Sequence, residues 1–296
     1  MNKQIKDSYK GVFSLLLTPF HEDGSIDWHA YDEHVDAQLA ASPKGLFAVC
    51  GTSEMSSLSE QERLELARRA AARAGETPVK ATANVSGQIE EHLEQVRRME
   101  DTGVNAVVLV PPPVQDYSRQ QKFEYYAQLA EACSVPVFIY EWPGREDHMI
   151  DAALYGDLVT QGGIAGIKDT TCTVEGICSK LSMAPESVVY QANMAFMLEA
   201  LEAGAGIECI HSASSSQLVI DLYNAFQAQE QAEAQRLYAY LTFLNGMLRG
   251  IHPAGSKYLS QLQGQSMSTK CRNANHLLTA ERIKGLDTFY QFTNPR

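Results

Sequence analysis

Short apolar runs alternate with longer amphipathic ones along this chain. The short runs predict strands over residues 12–17, 45–49, 79–83, 106–110, 137–140, 164–168, 188–191 and 207–211. Most lack an alternating polar face, which suits parallel strands covered on both sides. The amphipathic stretches predict helices over 28–41, 59–74, 88–102, 119–132, 151–159, 173–181, 194–203 and 215–227. Ser59, with Glu62 three residues on, is a capping-box start, and Gly75 and Gly103 sit where helices should stop. Eight strand–helix units in succession point to an α/β fold of the (β/α)8 TIM-barrel type. A doubly wound open sheet is the alternative. It usually has fewer strands, and no Gly-x-Gly-x-x-Gly turn follows the first strand here. Further helical segments follow over about 230–249, 255–262 and 279–289. The expected organisation is a barrel over 1–227 with a C-terminal helical extension over 228–296 packed on it as one structural unit.

Composition narrows the function classes. The 296 residues are 45% apolar and 20% charged, ordinary for a globular protein with a sizeable core. The formal net charge of −12 comes without any basic block, so nucleic acid and anionic membranes are not expected partners. No apolar run approaches the ~20 residues that span a bilayer, and residues 1–7 lack an apolar signal region. The six cysteines include no C-x-x-C pair, which suits reduced thiols in a cytoplasmic protein rather than a zinc site or a disulfide scaffold.

Barrel active sites lie at the C-terminal ends of the strands. Reading those ends gives Thr18-Pro19-Phe20, Cys50-Gly51-Thr52-Ser53-Glu54, Tyr140-Glu141-Trp142, Lys168, Gln191-Ala192-Asn193 and His211-Ser212. Lys168 is the unusual one, a lysine closing an apolar run. Burial disfavours the ammonium, and a neutral lysine amine forms Schiff bases with carbonyl substrates. On local sequence alone, Lys168 could equally reach solvent or pair with Asp169. Tyr140, on the adjacent strand, would share its mouth.

The order and spacing of several segments carry a resemblance. They are the opening Gly11-Val12-Phe13 with Leu17-Thr18-Pro19-Phe20 and Asp23-Gly24-Ser25-Ile26-Asp27, and the loop Gly51-Thr52-Ser53-Glu54 followed by Ser57–Arg63. With them come Val135-Pro136-Val137-Phe138-Ile139-Tyr140-x-x-Pro143 and Gly166-Ile167-Lys168-Asp169. Together these resemble the N-acetylneuraminate lyase / dihydrodipicolinate synthase family of class I aldolases, over nearly the whole chain. The resemblance implies that Lys168 forms the Schiff base with pyruvate or another 2-oxo acid and that Tyr140 shuttles protons. It implies that Gly51, Thr52 and Ser53 hold the substrate carboxylate, with Thr52 also in the proton relay. Arg145 matches an arginine near the substrate's distal carboxylate, although on the surface it could pair with Glu146 or Asp147. Neither cofactor nor metal is implied, and a homo-oligomer, dimer or tetramer, is.

Departures from the family pattern bear on substrate. Gly51 replaces a hydroxyl residue, Pro113 stands where many members have a tyrosine from a neighbouring subunit, and Glu141, Trp142 and Gln191 surround Lys168 with unfamiliar side chains. Glu141, Gln191 and His211 therefore join the candidate substrate contacts, His211 with simple packing as its alternative. The departures point away from dihydrodipicolinate synthase and neuraminate lyase proper, towards an aldolase or dehydratase acting on a small 2-oxo or 2-keto-3-deoxy sugar acid. Dihydrodipicolinate synthase itself, a catalytically silent 2-oxo-acid-binding relative and a metal-dependent aldolase on the same fold are the competing readings.

Overall fold

The computed structural model describes residues 2–112, 117–141, 149–171, 173–273 and 278–294. Eight parallel strands run in sequence order as β1 (Phe13–Leu15), β2 (Gly45–Val49), β3 (Val79–Thr82), β4 (Ala106–Leu109), β5 (Val137–Tyr140), β6 (Ile164–Asp169), β7 (Val188–Gln191) and β8 (Gly206–Ile207). A parallel bridge between Val12 and Ile207, with the Ile207 N–H donating to the Gly11 carbonyl at 2.9 Å, joins the last strand to the first. The strands are buried almost throughout because helices cover the sheet: α2 (Trp28–Ala40), α3 (Glu60–Ala74), α4 (Ile89–Glu100), α5 (Arg119–Glu131), α6 (Ala152–Thr160), α7 (Val174–Met183), α8 (Met197–Ala203) and α9 (Ser216–Gln227). The fold is a (β/α)8 barrel.

Local chemistry starts and stops these helices as expected. Ser59 and Glu62 form the reciprocal capping box of α3, and Gly75 and Gly103 follow α3 and α4 with positive φ. Two elements differ from the sequence reading. The eighth strand is only two residues long, and the chain then turns through a 3-10 segment, Ile210–Ala213. Ser212 explains the early stop: its hydroxyl meets the Cys209 carbonyl at 2.8 Å and accepts the Leu15 N–H at 3.2 Å, replacing ladder bonds at the barrel seam. The second difference is an N-terminal helix, α1 (Asn2–Tyr9), too short and polar to be stable alone. Tyr9 fixes it beneath the barrel. Its ring stacks on Phe13 and packs at a tilt against Phe138, its hydroxyl donates to the Asn105 carbonyl at 2.6 Å, and its own carbonyl accepts from Tyr190.

The barrel interior is aromatic at its lower tier. Phe13, Phe138 and Tyr190, from β1, β5 and β7, converge there with ring centroids 5.5–6.1 Å apart for the contacting pairs. Glycines on the intervening strands make the room. A Cβ on Gly45 would lie 2.3 Å from the Phe13 ring, and one on Gly166 or Gly206 would strike Phe138 or Tyr190.

Three more helices, α10 (Gln231–Leu248), α11 (Ala254–Leu262) and α12 (Ala280–Thr293), follow α9. Leu237, Leu241, Leu244 and Leu248 of α10 are buried in a second apolar cluster with Val219 and Leu222 of α9 and Leu286 and Phe289 of α12. This part of the chain also reaches the barrel mouth. Glu54, in the left-handed region at φ 59°, accepts Lys257 Nζ at 2.7 Å and the N–H groups of Arg272 and Asn273 at 2.7 and 3.0 Å. Arg272 also forks onto Glu62 at the start of α3.

Candidate active site

Tyr140 and Lys168 are register partners at the ends of β5 and β6, so alternation sends both side chains inward. Lys168 Nζ lies 4.4 Å from the centroid of the Tyr140 ring and 5.6 Å from that of Phe47. Only 5% of Lys168 is exposed. Burial alone presses its ammonium towards the neutral amine, as the sequence reading expects. The groups around it, Tyr140, Cys50, Glu208 and Cys209, act the other way and hold its pKa above the ordinary lysine value. Burial and these neighbours thus act on the charge of the Lys168 amine in opposite directions. Burial raises the Tyr140 phenol above its ordinary range, with Lys168 opposing the rise.

The loop after β2 closes on this pair. A Cβ placed on Gly51 would sit 3.0 Å from the Tyr140 hydroxyl, so the missing side chain lets the phenol approach the turn. Thr52 is buried, with its hydroxyl 3.2 Å from His252 Nε2, and His252 Nδ1 lies 2.9 Å from the Ser256 hydroxyl. Ser53 does something else. Its hydroxyl lies against the carbonyls of Leu16 and Ala48 at 2.8 and 2.9 Å and accepts the Cys50 N–H, its N–H reaches the Cys50 carbonyl, and its own carbonyl accepts from Thr18. It braces the ends of β1 and β2 and is not placed to contact substrate, which corrects the sequence expectation.

Three further candidates turn away from the mouth. Glu141, one residue past Tyr140, faces the opposite side of the sheet. Its Oε1 accepts the Ile150 N–H at 2.9 Å and Lys180 Nζ at 3.0 Å, and its Oε2 accepts the Thr170 N–H at 3.0 Å. Asp169, one residue past Lys168, takes the same ammonium at 2.5 Å. Lys180 of α7 thus ties the β5 and β6 ends together from behind, and Glu141 is an anchor rather than a substrate contact. Gln191 pairs in register with Asp169 on the same outer side, its Oε1 accepting the Asn193 N–H. His211 is buried beside Asn245 of α10, and burial pushes its pKa down to about 4. Arg145 lies outside the described residues, as do Pro113 and Trp142. Among the described residues, no three His, Cys, Asp or Glu side chains come together as a metal site requires.

Comparisons with known proteins identify the family. The model of the dihydrodipicolinate synthetase family matches residues 8–287. The chain belongs to that family. A 4-hydroxy-tetrahydrodipicolinate synthase of Brucella abortus is 29% identical over 261 residues, covering 86% of this chain and 88% of the relative. A dihydrodipicolinate synthase from Bacillus anthracis superposes with a TM-score of 0.88 at 24% identity, covering 97% and 99% of the two chains. A prophage protein of the same family from E. coli K12, solved in complex with pyruvate, superposes with a TM-score of 0.87 at 23% identity, covering 96% and 98%. At these identities the superpositions establish the shared fold.

Within that family fold, the structure brings together Lys168, Tyr140, Gly51 and Thr52. It adds residues that the strand ends alone did not select. His252 reaches Thr52 from the start of α11, two hundred positions away in sequence. Lys80 and Glu208 form a buried ion pair inside the barrel. Their signal was present as a charged residue within each of two apolar runs, Val79-Lys80-Ala81 and Ile207-Glu208-Cys209.

Proposed function

We propose that this protein is a Schiff-base lyase, an aldolase or dehydratase, that takes pyruvate or a small 2-oxo or 2-keto-3-deoxy sugar acid as an iminium on Lys168. The observation that carries this reading is the placement of the buried Lys168 Nζ 4.4 Å from the Tyr140 ring, in a chain of this family. Lys168, once deprotonated, adds to the ketone. The carbinolamine loses water, and the resulting iminium draws electrons from the bond that breaks further along the substrate. Tyr140 passes protons to and from the carbinolamine oxygen and the leaving group, because a cationic iminium beside a phenol eases loss of its proton. The backbone of the Gly51–Thr52 turn and the Thr52 hydroxyl hold the carboxylate, in the way such turns bind anions. Arg145 is assigned to the distal end of the substrate. A homo-oligomer and a cytoplasmic setting belong to the same reading.

Borohydride treatment with a panel of 2-oxo acids, read by peptide mass spectrometry, tests it. The expected result is a reduced-imine mass on the Lys168 peptide with at least one acid and none in Lys168→Ala. No adduct with any acid overturns the reading. Gly51 supports a second one, a silent 2-oxo-acid-binding relative, since it carries no side-chain hydroxyl at the position whose Cβ would lie 3.0 Å from the Tyr140 hydroxyl. An adduct with no turnover of any acid selects it.

A further inference from the structure

Beneath Lys168 the barrel holds charges that the reaction does not call for. Lys80 of β3 and Glu208, just past β8, are 1% and 0% exposed and pair directly. Lys80 Nζ is boxed by four rings, with centroids at 4.0 Å for Tyr190, 4.6 Å for Phe13, 4.7 Å for Phe138 and 5.1 Å for Phe47. The strand register resolves two tiers, each built from alternate strands as in other barrels. Phe13, Lys80, Phe138 and Tyr190 come from the odd strands. Phe47 and Lys168 come from the even ones, Glu208 directly follows the even strand β8, and the Phe47 ring faces both lysines. Glu208 therefore shares a tier with Lys168 while its carboxylate is held by Lys80 from the tier below.

Stability gives no reason for this arrangement. Barrel interiors are filled by branched apolar side chains, and an apolar replacement of a buried ion pair is often neutral or stabilising. A buried charge acts chiefly on its neighbours, and the neighbour here is the amine that must change charge during the reaction. The titratable groups around Lys168 are Tyr140, Cys50, Cys209, Glu208 and Lys80. Only Glu208 and Lys80 among them form an ion pair, with charges of opposite sign.

We propose that the Lys80–Glu208 pair regulates the charge on Lys168: Glu208 supports positive charge on its Nζ, as ammonium and then as iminium, and Lys80 competes for that carboxylate so that the ammonium can still release its proton. Both are positioning residues that act through Lys168, and the inference rests on the Schiff-base reading. Two measurements over pH test it. Competitive acetic anhydride labelling of Lys168 without substrate reads the titration of the amine itself, and borohydride trapping with pyruvate reads its reactivity. Glu208→Gln should move the labelling midpoint down by about one pH unit or more, and Lys80→Met should move it up by a similar amount. Trapping should follow both shifts. A merely structural role would leave both midpoints in place or move them the same way, and either result overturns the proposal. Glu208→Gln strands the Lys80 ammonium and can fail to fold, so the double variant Lys80→Met/Glu208→Gln is compared with Lys80→Met alone. Its midpoint should lie lower by about one unit, and equal midpoints overturn the proposal. Opposite labelling shifts in a protein that forms no adduct with pyruvate or any other 2-oxo acid would sink the Schiff-base reading and leave the charge coupling standing.

Discussion

Lys180→Met tests how the two key strand ends are held. The substitution removes the ammonium between Glu141 and Asp169, both fully buried, and keeps most of the volume of the side chain. Removing one partner of a buried ion pair costs about 3–5 kcal/mol. Glu141 keeps the N–H groups of Ile150 and Thr170, and Asp169 keeps the N–H and hydroxyl of Thr171, so the loss should sit near the lower end, about 3 kcal/mol. At about 2 °C per kcal/mol for a chain of this size, the melting temperature should fall by about 6 °C at pH 7. The deficit should also depend on pH. Burial already holds the Glu141 pKa above its ordinary 4.5, with Lys180 opposing that rise. Without Lys180 it climbs further. A carboxyl raised in the fold contributes stability that is complete below its unfolded pKa and is lost as pH rises through its folded pKa. The variant's deficit against wild type should therefore shrink from pH 7 to pH 5, as Glu141 takes up a proton. Calorimetry of both proteins at the two pH values reads it. A loss below about 1 kcal/mol at pH 7, the range of an exposed pair, or a deficit that grows at pH 5, refutes the reasoning.

Two other predictions follow from the same structure. Tyr140→Phe should cut turnover of whichever acid forms the adduct by about 10²–10⁴-fold, while borohydride still traps some adduct at Lys168; unchanged turnover in a steady-state assay removes Tyr140 from proton transfer. Burial lowers the pKa of His34 and His211 from 6.5 to about 4, so below pH 6.5 the unfolded chain takes up protons that the fold refuses. Stability should fall between pH 6.5 and 4 by up to about 3 kcal/mol per histidine, and His211→Leu should flatten the slope measured by urea titration; an unchanged slope contradicts the burial argument for His211.

The barrel was legible because parallel strands covered on both sides leave uninterrupted apolar runs, and eight such runs could be counted. Lys168 and Tyr140 were legible because each closes one of them. The errors at Glu141 and Gln191 share a cause: in a strand the next residue faces the other side, so a polar residue after an inward Tyr140 or Tyr190 belongs to the helix layer. Parity would have excluded both. It would also have flagged Lys80 and Glu208, whose charges fall at inward positions. Ser53 and His211 were harder. The first is claimed by carbonyls from two strand ends, and the second is displaced by a turn that Ser212 imposes, so both depend on residues distant in sequence. Helix α1 was invisible for a related reason, since its stability comes from Tyr9 packing on Phe13 and Phe138.

The hold that Lys257, Arg272 and Asn273 have on Glu54 reaches back across 203 to 219 positions to the residue two places after Thr52. On the ribosome, the turn carrying Gly51 and Thr52 emerges early and waits for most of the chain before its clasp arrives. Strands can pair and helices can cover them in the meantime, and the turn has its own local hydrogen bonds, but the Glu54 carboxylate lacks its partners. The latest-made part of the protein thus supplies the partners of one carboxylate beside the mouth. A chain cut before Lys257 contains the sequence of every barrel strand and of the Lys168–Tyr140 pair, and lacks all three groups that hold the Glu54 carboxylate.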